Sequence, residues 1–488
     1  MFKMKKNVAA IAAGFVSMVV PFVAQAADTE FDNFTPMTGD TTPLNPGSAK
    51  PYKLSSPNFS QETIADRATQ NTLVPGSNSG NWDMIAGNET GADAGRYLFM
   101  PWEIFSTTAP TKAGVQRIDL WDTNYNTRTT TIVAAGTQNF SSGDASRWTP
   151  WGGYLTAEES WGTGSTAGRL FEITDPTTAA ENSANFVQRS VIPRVSHEGL
   201  AFDTDNSLYF VDELNGGSIY KYVSANPFAT TGDDFFAAGQ TFALKVDNGG
   251  QFEGNNAAAI TGLATWEAIT DLTGAALAGI STVLADGTID GRVTADNANV
   301  LGTGFNRPED LEIQTLANGD QFLYFTTTDS DDNANQNDGR GRVYSFNLTS
   351  FEVKLFADSH TLDAATGLEA GVAFKNPDNL AIDSEGNIYI VEDQDGGVED
   401  VWFAMDADRD GVAESVSKWI SLSTAGAEST GLYFDKFDSN KAYINVQHPA
   451  DGIDRTIELT AAPVPVPGAV WLFGSAIMGF LGFKRRKA

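Results

Sequence analysis

Short runs of apolar and aromatic residues recur along the chain, and each ends in polar or acidic residues. Six of them are built around a tyrosine: RYLFMPWE at Tyr97, GYLTAEES at Tyr154, SLYFVDE at Tyr209, FLYFTTTD at Tyr324, IYIVEDQD at Tyr389 and AYINVQHP at Tyr443. Each is followed by a second run of the same kind: GVQRIDL, GRLFEI, GSIYKYV, GRVYSFNL, DVWFAM or RTIEL. Such runs are too short for helices and rich in β-branched and aromatic residues, so they predict strands. The tyrosines are 57, 55, 115, 65 and 54 residues apart. A unit of about 55 residues holding several strands is the size of a propeller blade, and six units predict an all-β, six-bladed β-propeller. The longest gap leaves about 60 extra residues between the third and fourth units, roughly 225–300. That segment contains AAAITGLATWEAITDLTGAALAGI and predicts a partly helical insertion.

Four units also share a lead-in strand. HEGLAFD, RPEDLEI, NPDNLAI and STGLYFD align on Leu200, Leu311, Leu380 and Leu432, and two residues earlier stand Glu198, Glu309, Asp378 and Thr430. In a propeller the innermost strand of each blade starts on one face beside the channel, and the next strand returns to that face. Asp378 and the Glu392–Asp393 pair should therefore meet at one mouth. Carboxylates crowded there repel one another and would hold protons unless a counter-charge is present. A lone acid at such a place would be a turn cap. Three in one register predict a hard cation such as Ca²⁺, which takes about 6–8 oxygen ligands.

Arg307 precedes Pro308 and Glu309 and should reach the same mouth. A guanidinium in a carboxylate-lined pocket suits an anion such as phosphate, the alternative being a salt bridge to Glu309. His197, next to Glu198, is the candidate general base; His448 reads as a satisfied surface or core histidine. Separately, DADRDGVAE places Asp406, Asp408 and Asp410 alternately before Gly411, with Glu414 following. This predicts a structural calcium loop unlike an EF-hand, which would have Glu where Ser417 stands.

With 488 residues, 41% of them hydrophobic, the chain can build a large core. Its formal charge of −31 excludes nucleic acid as a partner and suits divalent cations. There is no cysteine, so an exported protein of this sequence relies on packing and metals rather than disulfides. Residues 1–26 carry Lys3, Lys5 and Lys6, an apolar run and Ala24-Gln25-Ala26, the form of a secretory signal peptide. Residues 27–75, rich in Pro, Ser and Thr, predict an extended N-terminal arm. The propeller is expected over 76–463.

The last segment, 464–488, reads VPVPGAVWLFGSAIMGFLGFKRRKA. Its apolar stretch is shorter than the about 20 residues of a lone span. It resembles the PEP-CTERM sorting tail, and a plain C-terminal anchor is the other reading. The resemblance implies transient inner-membrane anchoring, processing by an exosortase, and release to the periplasm, outer surface or extracellular matrix of a Gram-negative bacterium. Signal peptidase would act at the other end, and membrane contact would be confined to the C-terminal segment before processing.

TPWGGYLTAEE (149–159), SHEGLAFD (196–203), NRPEDLEI (306–313), NPDNLAID (376–383) and VQHP (446–449), with WDM (82–84) and RYLFMPWE (96–103), resemble the PhoX-type alkaline phosphatases. The resemblance covers about residues 80–450. It implies a monomeric propeller that hydrolyses small phosphate monoesters, with Ca²⁺ and Fe³⁺ bound by carboxylates in the channel. Carried over residue by residue, Glu198, Glu309, Asp378, Glu103, Glu158 and Glu159 are metal ligands and Arg307 holds the phosphate. Asp144 stands where the family has an iron-binding Cys; a carboxylate can bind Ca²⁺ or Fe³⁺ but lacks the thiolate's donor strength, which sets iron apart from the family pattern. The family's twin-arginine export signal is also absent. Two other readings are a calcium-dependent lactonase or esterase with one axial ion, and a non-catalytic matrix protein.

Overall fold

The computed structural model describes residues 29–39, 49–105, 112–254, 258–328, 341–393, 399–424 and 426–462. The predicted signal peptide and sorting segment lie outside them. Four-stranded antiparallel groups follow one another along the chain. The first comprises Ala86–Gly87, Tyr97–Pro101, Val115–Asp119 and Thr129–Val133; the second Gly143–Trp148, Tyr154–Glu158, Leu170–Ile173 and Phe186–Gln188. The third comprises Leu200–Phe202, Leu208–Val211, Ile219–Ser224 and Gly239–Val246; the fourth Pro308–Thr315, Gln321–Thr327, Arg342–Asn347 and Glu352–Ala357. The fifth comprises Pro377–Ile382, Ile388–Glu392, Glu399–Met405 and Ser415–Leu422. The sixth comprises Glu428–Phe434, Lys441–Gln447, Arg455–Ala461 and, from the other end of the chain, Phe59–Asp66. The first strands of successive groups pack side by side, and that of the sixth packs on that of the first. The result is the ring of a β-propeller.

The tyrosine that marks each repeat has a physical role. In four groups its hydroxyl donates to the residue three places after the aligned leucine: Tyr209 to Asp203 at 3.0 Å, Tyr324 to Gln314 at 3.1 Å, Tyr389 to Asp383 at 3.2 Å and Tyr443 to Asp435 at 3.3 Å. The other oxygen of each of these aspartates accepts backbone N–H groups of the turn that follows, such as Ser207 N at 2.7 Å and Asn387 N at 2.9 Å. A buried ring thus satisfies its polar tip on an Asx turn, locking the hairpin of first and second strands. Between groups the core is aromatic: Phe31, Phe59, Tyr389, Trp419 and Phe434 meet mostly edge to face.

Two segments differ from expectation. Among the described residues of 225–300 the α-helical content is two single turns, Gly232–Phe235 and Gly291–Thr294. The rest supplies the outer strand of the third group and Gly262–Ala268, which bridges that group to the fourth in one nine-stranded sheet. Pairing of Leu244 with Trp266 and its neighbours outweighs the helical propensity of the alanines. Residues 59–66, expected in an extended arm, pair with 455–461 in the register Gln61 to Leu459. Tyr52–Leu54 pairs with the edge of Ser415–Leu422. Among the described residues no helix is long and apolar enough to cross a membrane.

Candidate active site

At one mouth of the channel the pairing of first and second strands slips in four groups: between Gly143 and Ser146, Pro308 and Leu311, Pro377 and Leu380, and, one residue later in the repeat, Thr430 and Tyr433. A bulge puts two residues opposite one and re-aims their side chains. Asp144, Glu309 and Asp378 stand first in three of these bulges, and Asp83 and Glu198 hold the corresponding place ahead of their own strands. The second bulge residue ties the ring sideways. Asp310 accepts Leu380 N at 2.9 Å, and Asn379 accepts Gly431 N at 2.6 Å. Two residues before four of the acids the backbone turns left-handed, at Asn81 (φ 51°), Ser142 (48°), Arg307 (41°) and Asn376 (43°). Arg307 and Asn376 also precede prolines, so strained backbone recurs where the bulges begin.

These bulges frame a cavity of about 190 Å³. Asp83, Asp144, Glu198, Glu309 and Asp378 line it from the first strands, and Glu103, Glu159, Glu213 and Asp393 from the exits of the second strands; Arg307, Glu428 and His448 complete the wall. Carboxylate oxygens come within 4.8 Å of one another in three sets: Asp83, Glu103 and Asp144; Asp144, Glu159 and Glu198; Glu198, Glu213 and Glu309. Asp144 and Glu198 are each shared by two sets, so the three form one chain. Burial, and after it the charges of neighbouring acids, holds Asp144, Glu198 and Asp378 well above the usual carboxylate range. Glu103 is pushed up to about 7, chiefly by burial.

The donor set fits hard cations. Asp144 Oδ1 and Glu159 Oε2 are buried and receive no hydrogen bond, and acceptors without donors are costly unless a cation faces them. All the converging carboxylate ligands are oxygen, which suits calcium better than a thiolate-seeking ion. Some acids are otherwise engaged: Glu309 accepts Thr328 Oγ1 at 2.5 Å, and Gln447 Nε2 bridges Glu103 (2.9 Å) and Asp83 (3.2 Å). Arg307 brings the guanidinium. Its Nη2 lies 2.6 Å from Glu213 Oε1 and 3.5 Å from Glu309 Oε1, and its Cζ lies over the Trp161 ring, 4.8 Å from the centroid.

Of the residues expected at the site, Glu198, Glu309, Asp378, Asp144, Glu103, Glu159 and Arg307 are brought together. Glu158 is not. Fully buried, it pairs with Arg169 through Nη2 at 2.5 Å and Nε at 2.7 Å, on the side away from the cavity. His197 is also outside: it is fully buried against Phe210, neither ring nitrogen has a partner, and burial lowers its pKa to about 3. His448 lines the cavity instead, with Nε2 3.6 Å from Glu428. Asp83, Glu213 and Glu428 were not singled out from the sequence. The acid that ends VDE at Glu213 was the available signal, since it repeats the exits at Glu103, Glu159 and Asp393. On the distant loop, Asp406, Asp408 and Glu414 oxygens converge within 4.8 Å, while Asp410 accepts Val412 N and pairs with Lys354 at 3.4 Å.

The Glu158–Arg169 pair makes its own prediction. Arg169→Ala should destabilise the fold by about 3–5 kcal/mol, the scale for stranding one buried charge. Bound metal per chain, measured on the folded fraction, should not change. A loss of metal would put Glu158 back among the ligands.

A family model for alkaline phosphatase PhoX matches residues 118–450. No curated protein matches the chain. Among solved structures, PhoX of Pseudomonas fluorescens in complex with vanadate, a transition state analogue, superposes with a TM-score of 0.60 at 17% identity, covering 86% of this chain and 98% of that one. That likeness is one of fold. A protein of unknown function from Bacteroides thetaiotaomicron aligns at 13% identity and a TM-score of 0.37, covering 86% of this chain and 75% of that one.

Proposed function

Because the chain belongs to the alkaline phosphatase PhoX family, it is a phosphatase, and we propose that it hydrolyses small phosphate monoesters in the carboxylate cavity at the channel mouth. The observation that carries this reading is the linked chain of carboxylate triads with one guanidinium in the same wall. Asp83, Glu103, Asp144, Glu159, Glu198, Glu213 and Glu309 would hold the cations, with Asp378 and Asp393 beside them. Calcium is the expected ion, and Asp144 offers iron a carboxylate in place of a thiolate. When bound, such cations supply Lewis acidity toward phosphoryl oxygens.

The chain's own part is positioning and charge. Arg307 offers a planar fork of donors to the equatorial phosphoryl oxygens, where charge develops. Glu213 and Glu309 hold that fork at the cavity wall, so little reorganisation is needed when an ester arrives. Gln447 fixes Asp83 and Glu103 relative to each other through one amide. His197, sealed from the cavity, has no route to a substrate proton. This weighs against the one-ion lactonase or esterase reading, which needs it as a base.

The decisive experiment is turnover of a generic phosphate monoester by purified protein, with elemental analysis of the same sample. Release of phosphate that tracks bound metal supports the reading. Inactivity with calcium and iron both supplied would leave a matrix role. The protein is further proposed to be exported through residues 1–26 and released after loss of 464–488. Mass spectrometry of released protein should then find no peptide beyond about Pro467, and an intact C-terminus would overturn this.

A further inference from the structure

Trp161 sits on the rim of the cavity with 40% of its surface exposed. One face of the indole carries the Arg307 guanidinium, 4.8 Å from the ring centroid, and its Nε1–H donates to Glu159. Arg307 Nη2 and Nε both meet a single oxygen of Glu213, at 2.6 and 3.3 Å. Two donors meet on that one acceptor atom, and Glu309 Oε1 stands 3.5 Å from Nη2. The indole ring adds a contact over the guanidinium that neither carboxylate supplies.

The loop that carries Trp161 contains Gly162, Gly164 and Gly168, and would be supple by itself. It is held from behind by residues of the long segment between the third and fourth groups. Arg292 donates to Ser160 O at 3.0 Å and Ser165 O at 2.5 Å, and Asp290 accepts Gly164 N at 2.6 Å. Asp290 and Arg292 pair at 2.7 Å with both side chains fully buried. Ser160 N is also bound by Ser196 Oγ at 2.8 Å, beside the lead-in to Glu198.

We infer that Trp161 is a positioning residue that orients Arg307 toward bound phosphate, and that the inserted segment serves the site by bracing the Trp161 loop. The inference rests on the reading of Arg307 as the phosphate holder. Its test is binding of inorganic phosphate by calorimetry to the metal-loaded full chain, with kcat and KM for a phosphate monoester measured alongside. Trp161→Ala, at an exposed position, should fold normally and weaken phosphate binding and kcat/KM by about tenfold, the range of a cation–π contact. Trp161→Phe keeps a ring face without the N–H and should recover most of both. On an Arg307→Ala background, Trp161→Ala should change nothing further.

Unchanged phosphate affinity in Trp161→Ala would overturn the inference. So would an equal loss with and without Arg307, which would make the indole a platform for the substrate's leaving group. If wild type binds phosphate but turns over no ester, the phosphatase reading fails while the binding series still decides the role of Trp161.

Discussion

Arg307→Ala is expected to lower kcat/KM for phosphate esters by about 10²–10³-fold, the usual scale for one preorganised charge-stabilising donor. Metal content should stay near wild type, because arginine ligates no metal and the carboxylates around it remain. Arg307→Lys should recover only part of the loss. An ammonium supplies the charge but not the planar fork that matches two phosphoryl oxygens. Glu198→Gln makes the contrast, since Glu198 belongs to two of the three carboxylate sets and should lose metal and activity together. Full activity in Arg307→Ala would remove Arg307 from the mechanism and leave the metal site in place.

Calcium should raise the melting temperature far more at pH 8 than at pH 5. The cause is the set of cavity carboxyls whose folded-state pKa lies above its unfolded value, mainly through burial and secondarily through mutual repulsion. For such groups the unfolded chain ionises first as pH rises. Without metal, stability is full below the ordinary carboxylate range of about 4 and falls as pH climbs through the folded values. Glu103, pushed up to about 7, would by itself cost on the order of 3 kcal/mol by pH 8. Bound cations cancel that loss, so the calcium-dependent shift grows with pH. Thermal melts of chelated and calcium-loaded protein at the two pH values measure it. An equal shift at both would mean that the acids are neutralised in some other way.

The ring was legible because its repeat is local. A tyrosine marks each hairpin, an aligned leucine four of them, and an aspartate three places beyond that leucine three of those four. The acids at Glu198, Glu309 and Asp378 were legible because they share that register. Asp83 was obscured by a first strand of only two residues, Ala86–Gly87, which offers no hydrophobic run to align. Glu428 was missed because it stands two places earlier in the repeat, level with Arg307 and Asn376, while the acid's own place holds Thr430.

The misplaced residues have one cause. His197 and Glu158 are each the immediate neighbour of a true lining acid, Glu198 and Glu159. Successive side chains of extended backbone point to opposite sides, so adjacency in sequence argues against sharing a cavity. The partners of Phe59–Asp66 and Gly262–Ala268 were invisible for a different reason. Both strands are fixed by pairing with distant segments rather than by their own pattern.

The pairing of Phe59–Asp66 with Arg455–Ala461 has a kinetic consequence. A strand made early in synthesis must wait for one made nearly 400 residues later before the sixth sheet is complete. Until then the early strand keeps an unpaired edge, and the carboxylate-lined mouth, which draws on all six strand groups, is unassembled. Closure of this seam, a contact of very long sequence separation, is expected to be the slow step of folding. A chain translocated unfolded would therefore reach the far side of a membrane before it could capture ions, and it would be filled by whatever cations are abundant there.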